Sequence, residues 1–447
     1  MSFRVIVAGA GTGGLCLAQG LRRAGIDVVV LERDDGPRAA GLRGYRVGIS
    51  PNGARGLRAC LAPELYAVFE ASTGEPYARL LMCTERYRRL LAVPFAEMPG
   101  GGSDEHNVSR ATLRQVLLTG ITDAVAWGRP VTGYELRPDG RVTVHAGGGE
   151  PVTGDLLVGA DGAGSPVRRR FLPGAGHTST GLVAIGGKAP LDAAATALLP
   201  DGDVPGMAPM FDRHGGMGIS HVMRMRWDDD HVPRPGIAPA HAAALNGWEG
   251  LAGDPTTDFV SWGVTVPHTR FPGGMPSSTD GFALLTHARR VTDDWDPRWH
   301  ELLKRSDPAS AITIDIRTSD PLPEWEPGPV TLLGDAAHTM TPGRGAGANT
   351  ALRDARELCE RLVRVRDGEL GLREAVGGYE TLMRRYSALA VRESLEFMND
   401  GAASRGPVAR ALGTVGTRAG MRLVDRVPVL RRRMIRDMQR VRDSELV

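Results

Sequence analysis

A chain of 447 residues, 42% apolar and 24% charged, is long enough for a large buried core and has the composition of a folded globular protein. That excludes wholesale disorder, a collagen-like repeat and a disulfide-stapled miniprotein. The formal net charge of +2 gives the whole chain no electrostatic case for nucleic acid. No apolar run reaches the roughly 18 residues of a membrane span, and no signal core follows the N-terminus. Arginine supplies 52 of the 54 basic residues, which reads as codon bias rather than function. Cys16, Cys60, Cys83 and Cys359 form no CxxC pair, which argues against a zinc or dithiol site and fits a reducing cytoplasm. The expectation is a soluble cytoplasmic protein of roughly three domain-sized units.

The first element is FRVIVA (3–8), a β-branched apolar run that predicts a buried parallel strand. Gly9-Ala-Gly11-Thr-Gly-Gly14 follows, then a helix with Leu15, Ala18 and Leu21 on one face, ending near Gly25. A second strand over 27–31 ends at Glu32-Arg33 and completes a βαβ unit. Residues 34–50 read as a loop, 52–72 as a helical stretch, and 73–105 as short strands broken by Gly and Pro, with Gly100, Gly101 and Gly102 in line. NVSRATLRQVLL (107–118) reads as a turn into a helix capped by Ser109, and 130–145 as a hairpin turning at Asp139-Gly140. A buried strand at 156–159 runs to Asp161-Gly162. Between 178 and 275 a period of two dominates, which predicts a mostly antiparallel sheet inserted into the first domain. Another buried strand at 330–333 runs into Gly334-Asp335, a helix begins near Asn349, and 370–447 is mainly helical with interruptions at Pro407 and Pro428.

Three segments carry chemistry. In Gly9-x-Gly11-x-x-Gly14 the first glycine permits a tight turn, the second lets a pyrophosphate approach the backbone, and the third lets helix and strand pack closely. Free N–H groups and the helix dipole favour the phosphate charge there. Glu32, 18 residues past Gly14 at the end of the second strand, can accept from ribose hydroxyls. The second segment is LLVGADGAGSPVR (156–168), with Asp161 and Gly162. The third is VTLLGDAAHTMTPGRGAGANTALRDA (330–355), with Gly334, Asp335, Pro342, Gly345, Gly347 and Asn349. The glycine motif alone does not separate NAD from FAD. All three in this order are hard to obtain by chance.

On these motifs the chain resembles the FAD-dependent aromatic hydroxylase family, single-component flavoprotein monooxygenases with the fold of para-hydroxybenzoate hydroxylase, over roughly residues 3–385. The resemblance implies an α/β protein: a Rossmann-like FAD-binding domain with an inserted, mostly antiparallel β-sheet substrate domain and a helical C-terminal extension. The expected division is 1–75, 106–177 and 276–375 for the FAD domain, 76–105 and 178–275 for the substrate sheet, and 376–447 for the extension. It implies that Gly9, Gly11, Gly14 and Glu32 hold the ADP half of FAD, with Arg33 beside the adenosine and Val131 meeting adenine by its backbone. Asp161 and Gly162 serve FAD and NAD(P)H docking, and Gly334 and Asp335 contact the ribityl chain and pyrophosphate. Pro342, Gly345, Gly347 and Asn349 lie against the flavin ring. Arg110 matches a family arginine near the phosphate or ribityl region, and Arg46 one in the loop that flanks the ring. Ala346 and Arg344 depart from the family's pattern.

The segment MGISHVMRMRW puts Met217, Ile219, His221, Met223, Met225 and Trp227 on one face of a strand. By resemblance the inserted sheet roofs the flavin, so Met217, Ile219, His221, Met223 and Met225 are expected to meet a bulky, largely apolar substrate. Ordinary core packing is the other reading of that face. His221 is its one titratable group, either a proton acceptor for a phenol-like substrate or a satisfied core histidine. The implied reaction reduces bound FAD with NADPH or NADH, adds O₂ to form a flavin C4a-hydroperoxide, and hydroxylates or epoxidises an aromatic or polycyclic small molecule, as in natural-product tailoring. No compulsory acid–base residue, no metal and no nucleic-acid partner are expected. Baeyer–Villiger insertion or dehydrogenation of a similar substrate is the alternative, and a non-catalytic flavoprotein the third reading. The arginine-rich segment from Arg405 to Arg442 reads as a solvated helix packed back on the FAD domain. Oligomeric state is not legible.

Overall fold

In the run RVIVA only Arg4 seeks water, and the rest is sealed as β1 (Arg4–Ala8) at the centre of a parallel sheet. The structure is a computed structural model that describes residues 3–37, 45–97, 105–200, 202, 206–253, 256–271, 274, 280–401 and 407–444. Helix α1 (Thr12–Arg23) and β2 (Asp27–Leu31) complete the βαβ unit. After β3 (Arg46–Ile49), the helical stretch expected over 52–72 is made of two helices, α2 (Pro51–Cys60) and α3 (Pro63–Ala71). Pro63 has no N–H to continue α2 and sits in the first turn of α3. Then come β4 (Arg79–Thr84), β5 (Arg89–Pro94), β6 (His106–Ser109) and α4 (Arg110–Leu118). Ser109 stands at the α4 N-terminus but does not cap it: its hydroxyl accepts from Thr256 Oγ1 instead. The Gly100–Gly102 run lies outside the described residues.

Next are β7 (Val125–Ala126), β8 (Val131–Leu136), β9 (Val142–Ala146), β10 (Val152–Gly154), β11 (Leu156–Gly159) and α5 (Pro166–Phe171). The expected hairpin is present: β8 and β9 pair antiparallel through a turn in which Gly140 has φ +82°. The long β12 (His177–Pro190), α6 (Ala193–Leu198), β13 (Gly206–Phe211), β14 (Met217–Met223), α7 (Pro239–Asn246) and β15 (Phe259–Pro267) follow. The remainder is α8 (Gly281–Val291), α9 (Pro297–Lys304), β16 (Ile312–Ser319), β17 (Val330–Leu332), α10 (Asp335–His338), α11 (Ala346–Arg366), α12 (Leu372–Gly401), α13 (Pro407–Arg426) and α14 (Pro428–Ser444). Pro407 and Pro428 open helices rather than interrupt one, since the first turn needs no N–H from them.

Two large sheets organise the described residues. The parallel sheet runs β17-β11-β1-β2-β7. The second runs β16-β12-β15-β14-β13-β4-β5 and is antiparallel except at β13–β4. The sequence division put 276–375 with the FAD domain, and its first part goes elsewhere. Strand β16 joins the second sheet beside β12, and Leu284, Leu285, Val291, Trp299 and Leu302 of α8 and α9 share a core with Val183, Val260 and Trp262. The reason is the apolar stripes of α8 and α9, which find their partner face on that sheet.

The basic tail also differs from expectation. It lies along the edge of the second sheet, not on the parallel one. Asp425 accepts from Arg89 Nη2 (2.9 Å) and from the Ala92 N–H (3.0 Å) of edge strand β5. Arg418 pairs with Glu85, and Arg431 with Glu97 at 3.3 Å. A sheet edge with free N–H groups is thereby covered. Among the described residues no helix is long and apolar enough to cross a membrane.

One buried carboxyl on α12 makes a measurable prediction. Glu380 is 1% exposed, and the Trp325 and Thr331 side chains and the Arg384 charge only partly compensate its carboxylate. Burial pushes it from an ordinary 4.5 up to about 6. The folded protein holds a proton the unfolded chain has released, so stability falls as pH rises from 4.5 through about 6. The loss totals about 2 kcal/mol. Glu380→Gln is expected to recover roughly that amount at pH 7.5 and almost nothing at pH 4. Urea unfolding at the two pH values checks it, and an equal effect at both would refute the assignment.

Candidate active site

The strands of the parallel sheet end in the motif turns, so the motifs meet because their strands are neighbours. After β1 the chain turns at Gly9 (φ +104°), where a Cβ would lie 2.5 Å from the Ala160 carbonyl oxygen. A Cβ on Gly14 would lie 2.2 Å from the Gly9 carbonyl oxygen, which is the close helix–strand approach the third glycine was expected to serve. Gly11 differs: a Cβ there would meet nothing within 4 Å. It borders open space at the N-terminus of α1, whose first N–H groups are unspent within the helix.

Glu32 is 6% exposed and works as a fastener. It accepts from the Ala10 N–H (2.5 Å) and the Asp34 N–H (2.9 Å). The Arg129 N–H donates to the Glu32 carbonyl at 2.7 Å, which brings the start of β8, and with it Val131, to the same end of the sheet. Arg33 is exposed beside them.

After β11, Gly162 has φ +80° and Asp161 keeps one buried oxygen without a partner among the described residues. Burial pushes its carboxyl up. Ser165 caps α5 by accepting from the Arg168 N–H at 2.8 Å. The Arg168 side chain, 5% exposed, donates to the Ala163 carbonyl at 2.9 Å and the Ala336 carbonyl at 3.3 Å, tying the second motif to the third.

The third motif turns at Gly334 (φ +63°) into α10. Asp335 presents its side chain to accessible space, yet burial pushes its carboxyl up while His338 and Arg110 pull it down. Accessible surface on a densely surrounded group marks the wall of a cleft. Gly345 (φ +64°) starts α11, which begins at Ala346, three residues before the expected start. A left-handed glycine supplies the N-terminal turn, so no Asn cap is needed. A Cβ on Gly347 would sit 3.8 Å from Asp335 Oδ1, so the third motif faces itself across the cleft. Pro342 opens a short 3₁₀ turn closed by the Gly345 N–H at 3.0 Å. Asn349 accepts from the Ser50 N–H (2.9 Å) and donates to the Gly48 carbonyl (3.0 Å), stapling β3 to the helix rather than capping it. Arg344, out of family pattern in sequence, pairs with Glu393 of α12.

Arg110 opens α4, with its N–H on the Tyr45 carbonyl (3.0 Å) and its guanidinium 5.8 Å from the Tyr45 ring. Arg46 donates through Nε to Asn107 Oδ1 at 2.7 Å and lies 5.4 Å from the ring centroid of Tyr77. Tyr77 meets His221, its hydroxyl 3.0 Å from Nδ1 and its ring stacked at 6.0 Å. Arg46 therefore joins the motif side to the face of β14.

On β14 the alternation holds in part. Gly218 and Val222 face the α8–α9 side, where a Cβ on Gly218 would be 2.5 Å from Trp295. Met217, Ile219, His221 and Met223 take the other face, and the first two are half-buried. Met225 and Trp227 lie past the end of the strand, because the Met225 N–H turns to Asp258 Oδ1 at 2.8 Å. Met225 is 0% exposed and Met223 1%, both packed in the main core. This corrects their assignment to substrate: they have no free surface to offer. Met223 instead supports Tyr77, whose hydroxyl is 3.7 Å from its sulfur.

Two groups escaped the sequence reading. Tyr77 sits in a segment without a motif, and Asn107 opens the quoted run 107–118 without an assignment. Asp354 lies inside a quoted run but carried no assignment. It is 0% exposed and accepts from the Gly334 N–H (2.8 Å), His338 Nε2 (2.6 Å) and the Tyr386 hydroxyl. A charged residue between Leu352, Ala355 and Leu358 on a buried helix face was the available signal.

The FAD binding domain family matches residues 2–47 and 294–393. The 3-amino-4-hydroxybenzoate 2-monooxygenase of Streptomyces cremeus is 30% identical over 393 residues, 85% of this chain and 82% of that protein. The dual O-methyltransferase/FAD-dependent monooxygenase of Cercospora beticola is 30% identical over 407 residues, and this chain spans 44% of its length. Among solved structures, a Photorhabdus luminescens protein assigned as an FAD-containing monooxygenase is 30% identical with a TM-score of 0.74, covering 90% of this chain and 99% of that one. Klebsiella pneumoniae HpxO with FAD and uric acid, at 24% identity and a TM-score of 0.72, covers 94% of this chain and 92% of its own. That last likeness shares the fold alone. An FAD-binding α/β fold with an inserted sheet is thus the class the structure defines. The chain belongs to the FAD-dependent aromatic hydroxylase family.

Proposed function

We propose that this chain is an FAD-dependent monooxygenase that uses NADPH or NADH and O₂ to hydroxylate or epoxidise a bulky aromatic or polycyclic small molecule. The observation that carries this is the convergence of three separated motif turns at one end of the parallel sheet, with Arg46 and Tyr77 linking the neighbouring β3 to His221 of β14. The cleft fits FAD: Gly11 leaves room at a helix N-terminus, Asp161 has a buried oxygen to spend, and Gly347 leaves Asp335 unobstructed. Gly9, Gly11 and Gly14 would take the pyrophosphate, Glu32 the ribose, with Arg33 and Val131 near adenine. Arg110, Asp161, Gly162, Gly334 and Asp335 would line the middle. Pro342, Gly345, Gly347, Asn349 and Arg46 would flank the ring.

Bound FAD supplies electron transfer from the reduced nicotinamide and activation of O₂. The protein binds, orients and excludes water. Met217 and Ile219 offer apolar surface to substrate. His221 is 8% exposed, and burial, then Arg46, hold it well below the ordinary histidine range, so it is neutral. With Nδ1 on Tyr77, its Nε2 has no protein partner among the described residues. With Nδ1–H donating to the Tyr77 hydroxyl, Nε2 carries the lone pair and accepts a hydrogen bond from a substrate hydroxyl, while Tyr77 fixes the ring.

The test is FAD reduction by NADPH with a panel of aromatic candidates, followed by ¹⁸O₂ labelling. One labelled oxygen in product supports the reading, and NADPH consumption with no labelled product for any candidate refutes it. For a phenolic substrate His221→Gln is expected to lower kcat about 10²-fold and Tyr77→Phe about tenfold. Flavin content should not change. A flat response in kcat and in its pH profile would reduce His221 to a core residue.

A further inference from the structure

We propose that the tip of the β13–β14 hairpin and the connection between α8 and α9 form a binding site for a divalent metal ion, with Asp212, His214 and Asp294 as ligands. Each offers one ligand atom, and the three atoms lie within 4.8 Å of one another. That spacing lets them close on one ion at bonding distances near 2 Å with modest side-chain rotation.

The hairpin turn builds half of the site. The Asp212 N–H donates to the Gly216 carbonyl at 3.0 Å, and the Gly215 N–H to the Asp212 carbonyl at 3.3 Å. Asp212 Oδ1 accepts from the His214 N–H at 3.1 Å, which fixes the carboxylate. Asp212 is 3% exposed, and its second oxygen, Oδ2, is sealed with no hydrogen-bond partner among the described residues. A Cβ on Gly216 would stand 3.0 Å from that oxygen, so a side chain there would press the carboxylate aside.

Asp294 supplies the other half. Its Oδ2 takes Arg213 Nη2 at 2.8 Å and faces His214 Nε2 at 3.5 Å. Its Oδ1 is sealed and unpartnered among the described residues. Both carboxylates of the cluster thus bury an oxygen to which nothing donates among the described residues. A sealed carboxylate oxygen forfeits its hydration, and a second carboxylate nearby adds repulsion. One cation held among the three side chains offsets the charge of both carboxylates, which one water, with no net charge, does not.

The ligand set selects the ion. One imidazole and two carboxylates suit Zn²⁺ or Mn²⁺ better than Mg²⁺ or Ca²⁺, which prefer oxygen alone. His214 is half exposed, so water can complete the shell. Arg213 is a built-in competitor: its Nε lies 2.9 Å from His214 Nε2, and binding through that nitrogen must displace it. The site is separate from the proposed active site, about 13 Å from His221 along β14. A bound ion would pin the loop that carries Trp295 over Gly218.

The full chain is stripped with EDTA, then titrated with Zn²⁺ and Mn²⁺ by calorimetry and by thermal unfolding. The expected result is one saturable site and a rise in Tm of several degrees. Asp294→Asn is expected to weaken binding at least tenfold, and Arg213→Gln to tighten it several-fold. Asp212→Asn should act like Asp294→Asn, and the more exposed Asp294 position keeps the test decisive if Asp212→Asn fails to fold. No binding to the unaltered chain, or equal affinity in Asp294→Asn and Arg213→Gln, overturns the proposal. Either outcome is independent of turnover, so it leaves the oxygenase reading to its own test.

Discussion

Asp354→Ala is expected to destabilise the protein by about 3–5 kcal/mol, the cost of stranding a buried ionic partner. Asp354 holds the Gly334 N–H, His338 and the Tyr386 hydroxyl from three segments, and it is fully buried. Burial would lower His338, but the Asp354 carboxylate outweighs it and holds the imidazole above its ordinary 6.5. The raised value means the charged pair contributes in full below pH 6.5, and the contribution fades as pH rises through the folded value. Unfolding at pH 6 should therefore show a larger gap between the unaltered chain and Asp354→Ala than unfolding at pH 9. A loss below about 1 kcal/mol at pH 6 would mean that the network is not a fastener. Because Gly334 and Asp335 lead out of this network, FAD content should fall with it.

Gly11→Ala and Gly14→Ala are expected to fail in different ways, although both alter one glycine of one motif. At Gly14 the new methyl would collide with the Gly9 carbonyl at 2.2 Å and crowd Ala160 and Val7. Helix α1 must then move off β1, at a cost of about 1–3 kcal/mol, with FAD or without it. At Gly11 the methyl touches no protein atom, so the flavin-free protein should keep its Tm within a degree or two. The same methyl would stand where the pyrophosphate is proposed to lie, and affinity for FAD should drop at least tenfold. Thermal unfolding of both forms and flavin titration separate the two. Equal FAD affinity in Gly11→Ala and the unaltered chain would contradict the proposed pyrophosphate position.

Much of the site is legible because backbone demands leave marks in sequence. Gly9 and Gly334 adopt positive φ, and Gly14 sits where no side chain fits, so these positions stand out as glycine. The buried strands read directly, since β1, β2, β11 and β17 are short apolar runs between turns. The start of α11 was missed by three residues because a left-handed Gly345 can begin a helix without a side-chain cap. Met225 was misplaced because strict alternation continued in sequence past the point where β14 ends. Alternation has no term for a backbone N–H captured by a distant carboxylate such as Asp258.

Length, a charge of +2 and the ordered motifs determine by themselves a folded, multi-layered chain with a nucleotide-binding end. They also place Glu32 and Asp335 just past strand ends, since an apolar run and the turn that stops it are local properties. Partners distant in sequence were decided only in three dimensions. Tyr77 meets His221 144 residues away, Asp425 covers an edge strand more than 330 residues earlier, and Asp212 faces Asp294. Such pairings depend on which apolar faces bury against each other, and that choice is made by the whole core. A residue's own neighbours in sequence carry no record of it.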